Sequence, residues 1–145
     1  MPTSRRLILD RFLPYRLSVA SNAVSDRIAD VYRARFGLRI PEWRVIAVVA
    51  EGAATQAALV HRTAMDKMTV SRAAKALVGR GLIERTRAAD RRTMALALTA
   101  EGKRLHAEVA PLALAIEEEI LQGFTAQERA QLMALLARLP GCAES

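Results

Sequence analysis

The sequence contains one cysteine and two histidines, which excludes several classes of small protein. A single thiol cannot form an internal disulfide, so no disulfide scaffold holds the fold. One cysteine and two histidines are also too few for a zinc finger. No apolar run approaches 18 residues, so the sequence predicts no transmembrane helix. No metal site or cofactor is predicted.

The start of the chain and its few aromatic residues exclude further classes of protein. The apolar stretch that follows Arg5 and Arg6 ends at Asp10, which is unlike a secretory signal, so we expect a cytoplasmic protein. Aromatic residues make up only 4% of the chain, which argues against nucleic-acid binding by stacking bases on aromatic platforms.

The charge is basic and unevenly distributed. The 145 residues, one domain's worth of chain, carry 22 Lys and Arg against 15 Asp and Glu. Residues 55–99 hold nine basic and three acidic side chains, whereas residues 100–145 hold four and seven. Either this middle region faces a polyanion, or the bias is that of an ordinary solvated surface.

Apolar spacing and capping residues predict six helices and one hairpin. The expected fold class is mainly α with a small β-hairpin, and there are no internal repeats or linkers. The predicted helices cover 14–36, 41 to about 51, 55 to about 61, 66 to about 79, 100 to about 123, and a last segment after the capping box Thr125–Glu128. The hairpin strands are 82–87 and 93–99.

The third and fourth helices, joined by a tight turn, suggest a helix-turn-helix. The buried stripe of the fourth helix is predicted to be Val70, Ala73, Ala74 and Leu77. Its other face presents side chains that suit the edges of bases and phosphates, near the N-terminus where a recognition helix reads DNA. These candidates are Lys67, Met68, Thr69, Ser71 and Arg72. The alternative is an amphipathic surface helix that binds nothing.

The hairpin that follows has the character of a wing. Arg91 and Arg92 at its tip could reach phosphates or a narrow minor groove. Asp90 is unsuited to contact a phosphate, so we interpret it as an orienting partner that fixes an arginine fork. The alternative is a hairpin whose tip is merely soluble.

These segments resemble the MarR family (multiple antibiotic resistance regulators) along nearly the whole chain. Residues 90–102 resemble the family's wing signature, Asp-x-Arg followed by Leu-x-Leu-Thr-x-x-Gly. Residues 66–72 and 80–83 resemble its recognition helix and the exit from it, and residues 12–17 and 40–44 are also similar to segments of family members. The resemblance implies a homodimeric winged helix-turn-helix transcription regulator, in habit a repressor, on a pseudo-palindromic operator.

The resemblance also implies roles for particular regions and residues. Residues 1–36 and 100–145 would form the dimerisation region and 37–99 the DNA-binding region of a single domain. Arg92 would enter the minor groove with Asp90 as its partner, and Arg91 would contact the wing-side backbone. Lys67, Met68, Thr69 and Arg72 take major-groove places, and Ser71 a phosphate contact. The chain departs from the family at Ala64, where many members have Gly, and at Ala58, where Glu is frequent.

Family members usually release DNA when a small aromatic or phenolic ligand binds between the dimer helices and the DNA-binding region. The resemblance implies a pocket for such a small aromatic acid effector. Its candidate lining residues are Tyr15, Arg16, Val19, Trp43 and His61. Arg16 would form an ion pair with the buried carboxylate of the effector. Redox sensing through Cys142 is not expected, because nothing basic lies beside it in the sequence to make its thiol reactive.

Three other classes of function are alternatives. An enzyme is not supported, since the sequence has no Gly-rich phosphate loop and no nucleophile motif. A non-specific architectural DNA-binding protein would share the basic module but lack sequence preference, and the ratio of specific to non-specific affinity separates the two. A basic helical protein on an anionic membrane is disfavoured, because its helix would need large apolar anchors.

Overall fold

The computed structural model describes residues 5–142, which form a mainly helical fold with a small antiparallel sheet. A 3-10 turn at Leu9–Arg11 precedes the first helix. The helices are α1 (Leu13–Phe36), α2 (Ile40–Ala50), α3 (Gln56–Thr63), α4 (Lys67–Gly79), α5 (Ala100–Ile120) and α6 (Ala126–Ala137). The strands are β1 (Ala54–Thr55), β2 (Ile83–Arg87) and β3 (Met94–Leu98). The predicted fold class is confirmed.

Four of the helices begin at a side-chain cap that satisfies a free backbone N–H of the first turn. The oxygen of each cap accepts a hydrogen bond from the N–H three residues later. These caps are Thr55, Asp66, Thr99 and Thr125. Thr125 and Glu128 form the reciprocal capping box that the sequence predicts. The starts of α3, α4, α5 and α6 are therefore set by local chemistry.

The sheet has the strand order β1-β3-β2, with both pairs antiparallel. The predicted hairpin is present as β2 and β3, with Ile83 opposite Leu98 and Arg87 opposite Met94. The sequence analysis missed β1, which pairs Ala54 with Leu96 and Thr55 with Ala95. A two-residue strand carries no periodicity of its own, and its partner lies some forty residues later in the chain.

The core lies under the helix-turn-helix and the sheet. Its fully buried large side chains are Leu38, Val45, Ile46, Leu59, Val70, Leu77, Ile83 and Val109. The predicted stripe of α4 is confirmed, because all four of its residues are buried. The opposite face of α4 is thereby left to solvent.

Two junctions tie this core to the long terminal helices. At the start of α5, Thr99 donates its backbone N–H to the Leu82 carbonyl (3.1 Å) and its hydroxyl to the Gly81 carbonyl (2.6 Å). Gly102 lies so close to the Leu82 carbonyl that a Cβ there would overlap it. At the end of α4, Arg80 donates from Nη2 to the Phe36 carbonyl at 2.8 Å, and so holds the C-terminus of α1.

The terminal helices leave a broad apolar surface uncovered within one chain. α1 buries only Ala29 and Tyr32, and α6 buries no residue. We call the exposed large apolar side chains of the N-terminal segment, α1, α5, α6 and the turn between α5 and α6 the apolar terminal surface. Its members include Leu7, Ile8, Leu9, Phe12, Leu13, Leu17, Leu114, Phe124, Leu132, Met133, Leu135 and Leu136. Between residues 5 and 142, no helix combines the length and apolar character needed to span a bilayer.

Candidate nucleic-acid interface

The start of α4 is held by a double contact between Asp66 and Thr69. The Thr69 backbone N–H donates to Oδ1 of Asp66 at 2.8 Å, and the Thr69 hydroxyl donates to Oδ2 at 2.9 Å. These bonds, the backbone one first, hold the pKa of Asp66 below its ordinary value. The positive end of the helix dipole also stabilises the ionised carboxylate of this cap. The first turn, which carries Met68 and Thr69, is thus firmly positioned.

The predicted reading residues lie on the solvent side of α4. Lys67, Met68, Ser71 and Arg72 are exposed and Thr69 is half-buried. Met68 exposes 65% of its surface, a large fraction for an apolar side chain. Residues 68, 71, 72 and 75 follow helical spacing, so they form one outward face. Lys75 belongs to this face and was not among the predicted site residues.

The turn before α4 is tight. Ala64, the C-cap of α3, has φ 56° and ψ 30°, a left-handed conformation. This conformation is the one that explains the frequent glycine of the family at this place. Two residues later Asp66 already caps α4, so the chain reverses within a few residues, as a helix-turn-helix requires.

The tip of the hairpin is organised by Asp90, in a way that corrects the sequence interpretation. Oδ1 of Asp90 accepts the backbone N–H groups of Arg92 (2.9 Å) and Thr93 (3.0 Å), and Oδ2 accepts the Thr93 hydroxyl (3.1 Å). Asp90 therefore fixes the backbone of the turn and not an arginine fork. These bonds, that from the Thr93 backbone first, hold the pKa of Asp90 below its ordinary value.

Asp90 leaves the arginine side chains of the tip free. Within residues 5–142, neither Arg91 nor Arg92 has an ion pair or a side-chain hydrogen bond. Arg91 has φ 60°, and its carbonyl accepts from the Arg87 guanidinium at 3.2 Å. The tip is thus a hydrogen-bonded turn that carries two exposed cations, which suits an anionic partner.

The five predicted ligand residues are not gathered within one chain. Tyr15, Arg16 and Val19 are exposed on the first half of α1, and His61 is exposed on α3. Trp43 packs on Tyr32 with ring centroids 5.7 Å apart. Tyr15 and Tyr32 are 17 residues apart on α1, which corresponds to about 26 Å along the helix axis. A ligand role for these residues stays a prediction.

Trp43 has a second aromatic partner that the sequence analysis did not identify. Its ring stacks on His106 of α5, with centroids 5.7 Å apart and planes at 17°. Helical spacing within α5 carries no information about this contact, because the two residues are 63 positions apart. The stack lies where α1, α2 and α5 meet.

Comparisons with known proteins agree with this geometry. A sequence model of the MarR family matches residues 36–93. The transcriptional regulator HosA of Escherichia coli O127:H6 is 30% identical over 101 residues, which cover 68% of this chain and 75% of HosA. The crystal structure of a MarR/EmrR family transcriptional regulator from Acinetobacter sp. ADP1 is 27% identical, with a TM-score of 0.84, covering 92% of this chain and 95% of the other.

A third similar protein is BpsR of Bordetella bronchiseptica, whose DNA binding is regulated by 6-hydroxynicotinic acid. It is 22% identical to this chain, with a TM-score of 0.80, and the match covers 93% of this chain and 97% of BpsR. The fold is therefore shared along almost the whole length of both proteins.

Proposed function

Because the chain belongs to the MarR family of DNA-binding transcriptional regulators, we propose that it is a homodimeric repressor of a pseudo-palindromic operator, released by a small aromatic ligand. The two copies of α4 enter successive major grooves about one helical turn apart. Residues 37–99 act as the DNA-binding region, and residues 1–36 and 100–145 form the dimerisation region.

One observation carries the DNA-binding assignment: within residues 5–142, the exposed cations of α4 and the wing have no carboxylate partner. Arg72 on α4 and Arg91 and Arg92 at the tip have no carboxylate partner within residues 5–142. Arg72 can read guanine through two parallel hydrogen bonds, and Met68 can contact a thymine methyl group. Arg92 at the wing tip suits the negative potential of a narrow minor groove.

The apolar terminal surface supports the homodimer. A monomer that exposed so many large apolar side chains on its terminal helices would tend to associate. The charges favour the same helices as partners, because residues 1–36 are net basic and residues 100–145 net acidic. Arg27 of α1 already pairs with Glu119 of α5 at 3.1 Å within one chain.

The proposed ligand site lies beside the stack of Trp43 and His106. BpsR, which shares the fold, responds to an aromatic acid, and this supports the same class of effector here. Tyr15, Arg16 and Val19 lie too far along α1 to reach Trp43 of their own chain. A site that uses both groups therefore takes Arg16 from one protomer and Trp43 from its partner.

The deciding experiment is duplex selection with the purified protein. Random duplex DNA is presented near physiological salt and the bound fraction is sequenced. We expect an enriched inverted repeat with half-sites about one turn apart, and an affinity for it at least about 10³ times that for unselected DNA. Tight, salt-sensitive binding without enrichment would instead establish a non-specific architectural protein.

A further inference from the structure

An open cleft of about 340 Å³ lies between α4 and the wing. Its polar walls come from three elements, with Ser71 and Lys75 on α4, Arg85 on β2 and Gln56 at the start of α3. Apolar side chains form the remainder of the lining: Ala74, Val78, Met94, Ala95 and Leu96. Among residues 5–142, none with a negative charge lines the cleft.

The register of the hairpin explains why Arg85 faces this cleft. Arg85 lies directly opposite Leu96, and side chains of opposed residues point to the same face of a sheet. Leu96 is buried, so this face is the one turned toward the helices. Glu84, one residue earlier, points to the opposite face. The inner face of the wing is therefore basic, and its acidic residue is turned away.

The two cations of the cleft have no competing partner in the chain. Within the described part of the sequence, neither Lys75 nor Arg85 forms an ion pair or a side-chain hydrogen bond. Other surface arginines do, as Arg62 does with Glu51 at 2.6 Å and Arg129 with Glu118 at 2.8 Å. Two unneutralised cations facing one cleft across an apolar floor suit a ligand that is itself anionic and partly apolar.

We propose that Lys75 and Arg85, the two cations that line this cleft, hold the sugar–phosphate strand that separates the major groove occupied by α4 from the minor groove reached by the wing. The proposal rests on the proposed function. Adjacent grooves of a duplex share one strand as their common wall, so a protein that enters both must let that strand pass between its two reading elements. Lys75 and Arg85 neutralise phosphates, Gln56 and Ser71 donate hydrogen bonds to them, and the apolar floor contacts deoxyribose.

This role differs from base reading in what it contributes. Contacts to phosphates are the same for every sequence, so they raise specific and non-specific affinity alike and set the position of the protein on the duplex. Each neutralised phosphate releases counterions and adds about 0.9 to the slope of log K against log salt concentration.

The test measures binding to two duplexes, one selected as above and one of mixed sequence and equal length, over a series of salt concentrations. The variants are Lys75→Gln, Arg85→Gln and the double variant, with Lys103→Gln on α5 as the matched charge control. We expect the double variant to reduce the slope by about 3.6 on both duplexes, four times the value for one phosphate, because each protomer of the homodimer loses two contacts. The ratio of the two affinities should be unchanged. Lys103→Gln should keep the parent slope.

Two outcomes would overturn the proposal: a parental slope in the double variant, or a loss confined to the selected duplex. Arg85→Lys with Lys75→Arg keeps both charges and should keep the parental slope, even if Arg85→Gln perturbs the wing. Arg92→Gln, measured alongside, separates the two levels of inference. If it weakens binding while the cleft variants do not, only the cleft proposal fails; if the parent binds neither duplex, the proposed function fails as well.

Discussion

At Ala64, the local backbone geometry and the residue type disagree. Its φ of 56° places an L-residue in the left-handed region, where Cβ crowds the neighbouring backbone. The side chain is exposed, so no packing compensates for the strain. The strain persists because the turn must reverse direction between two helices that are both fixed in the core, by Leu59 on one side and Val70 on the other.

We predict that Ala64→Gly raises the free energy of unfolding by about 0.5 to 1 kcal/mol. Relief of about 1 to 2 kcal/mol of strain is partly offset by about 0.5 to 1 kcal/mol of added chain entropy in the unfolded state. Urea titration at equal protein concentrations measures the change. Ala107→Gly, the same substitution at an exposed site within α5, is the control and should lower the value by about 1 kcal/mol. Equal losses in both variants would refute the strain.

Single residues also show how far the sequence could be interpreted. The caps Thr55, Asp66, Thr99 and Thr125 were predictable, because a cap and its partner lie three residues apart. The backbone role of Asp90 was not, because an acidic residue beside two arginines suggests an ion pair, and only the coordinates show its oxygens on the N–H groups of Arg92 and Thr93. The stack of His106 on Trp43 depends on how α2 and α5 pack, which sequence spacing does not encode.

At the scale of elements, the first turn of α5 closely approaches the segment that joins α4 to β2. Gly102 makes it feasible, since a Cβ would overlap the Leu82 carbonyl and lie 3.1 Å from a methyl group of Leu98. Thr99 reinforces the junction with its two hydrogen bonds to this segment. The orientation of α5 relative to the winged helix is thus set by a glycine that the wing signature contains.

We predict that Gly102→Ala lowers the free energy of unfolding by about 1 to 3 kcal/mol, because backbone atoms must move to admit the methyl group. Gly79 is the matched control: it is also helical, but a Cβ there would have nothing within 4 Å. Gly79→Ala should leave stability unchanged or raise it by up to about 1 kcal/mol. Denaturant unfolding followed by circular dichroism compares them. An unaltered midpoint for Gly102→Ala would contradict the predicted overlap.

Elements differed in how well the sequence predicted them. The stripe of α4 was predicted in full, because 3.6-residue periodicity reports burial directly. The strand β1 was missed, because its hydrogen bonds depend on β3, which follows it by two helices and a strand. The cleft between α4 and the wing could not be predicted from the sequence either. Only the register of the sheet shows that the side chain of Arg85 faces the same cleft as Lys75.

At the scale of the molecule, burial is divided unequally. The winged-helix part has a closed core, whereas the two ends of the chain combine into helices that bury few large side chains. Leu135 of α6 is 56% exposed and therefore contributes little to the stability of a single chain. In the proposed dimer such residues become the interface core, so folding of the terminal helices and association are linked.

We predict that Leu135→Glu dissociates the protein into monomers, because a charge would be buried in the apolar terminal surface without a partner. Sedimentation should change from about 32 kDa, twice the chain mass of 15.9 kDa, to about 16 kDa. Affinity for a selected inverted repeat should fall along with it. Ala53→Glu, in the exposed loop before β1, adds the same charge elsewhere and should remain dimeric. A variant that stays dimeric at micromolar concentration would remove α6 from the interface.

The contact of Arg80 with the end of α1 has a mechanical consequence. Its guanidinium lies on the C-terminal carbonyls of α1, the negative end of that helix dipole, and couples the last turn of α4 to it. In the proposed dimer, α1 and α4 would then turn together as one lever. A change in the angle at which the two copies of α1 cross would move the two copies of α4 apart. The distance between the two copies of α4 would thus be governed by helices that do not touch DNA.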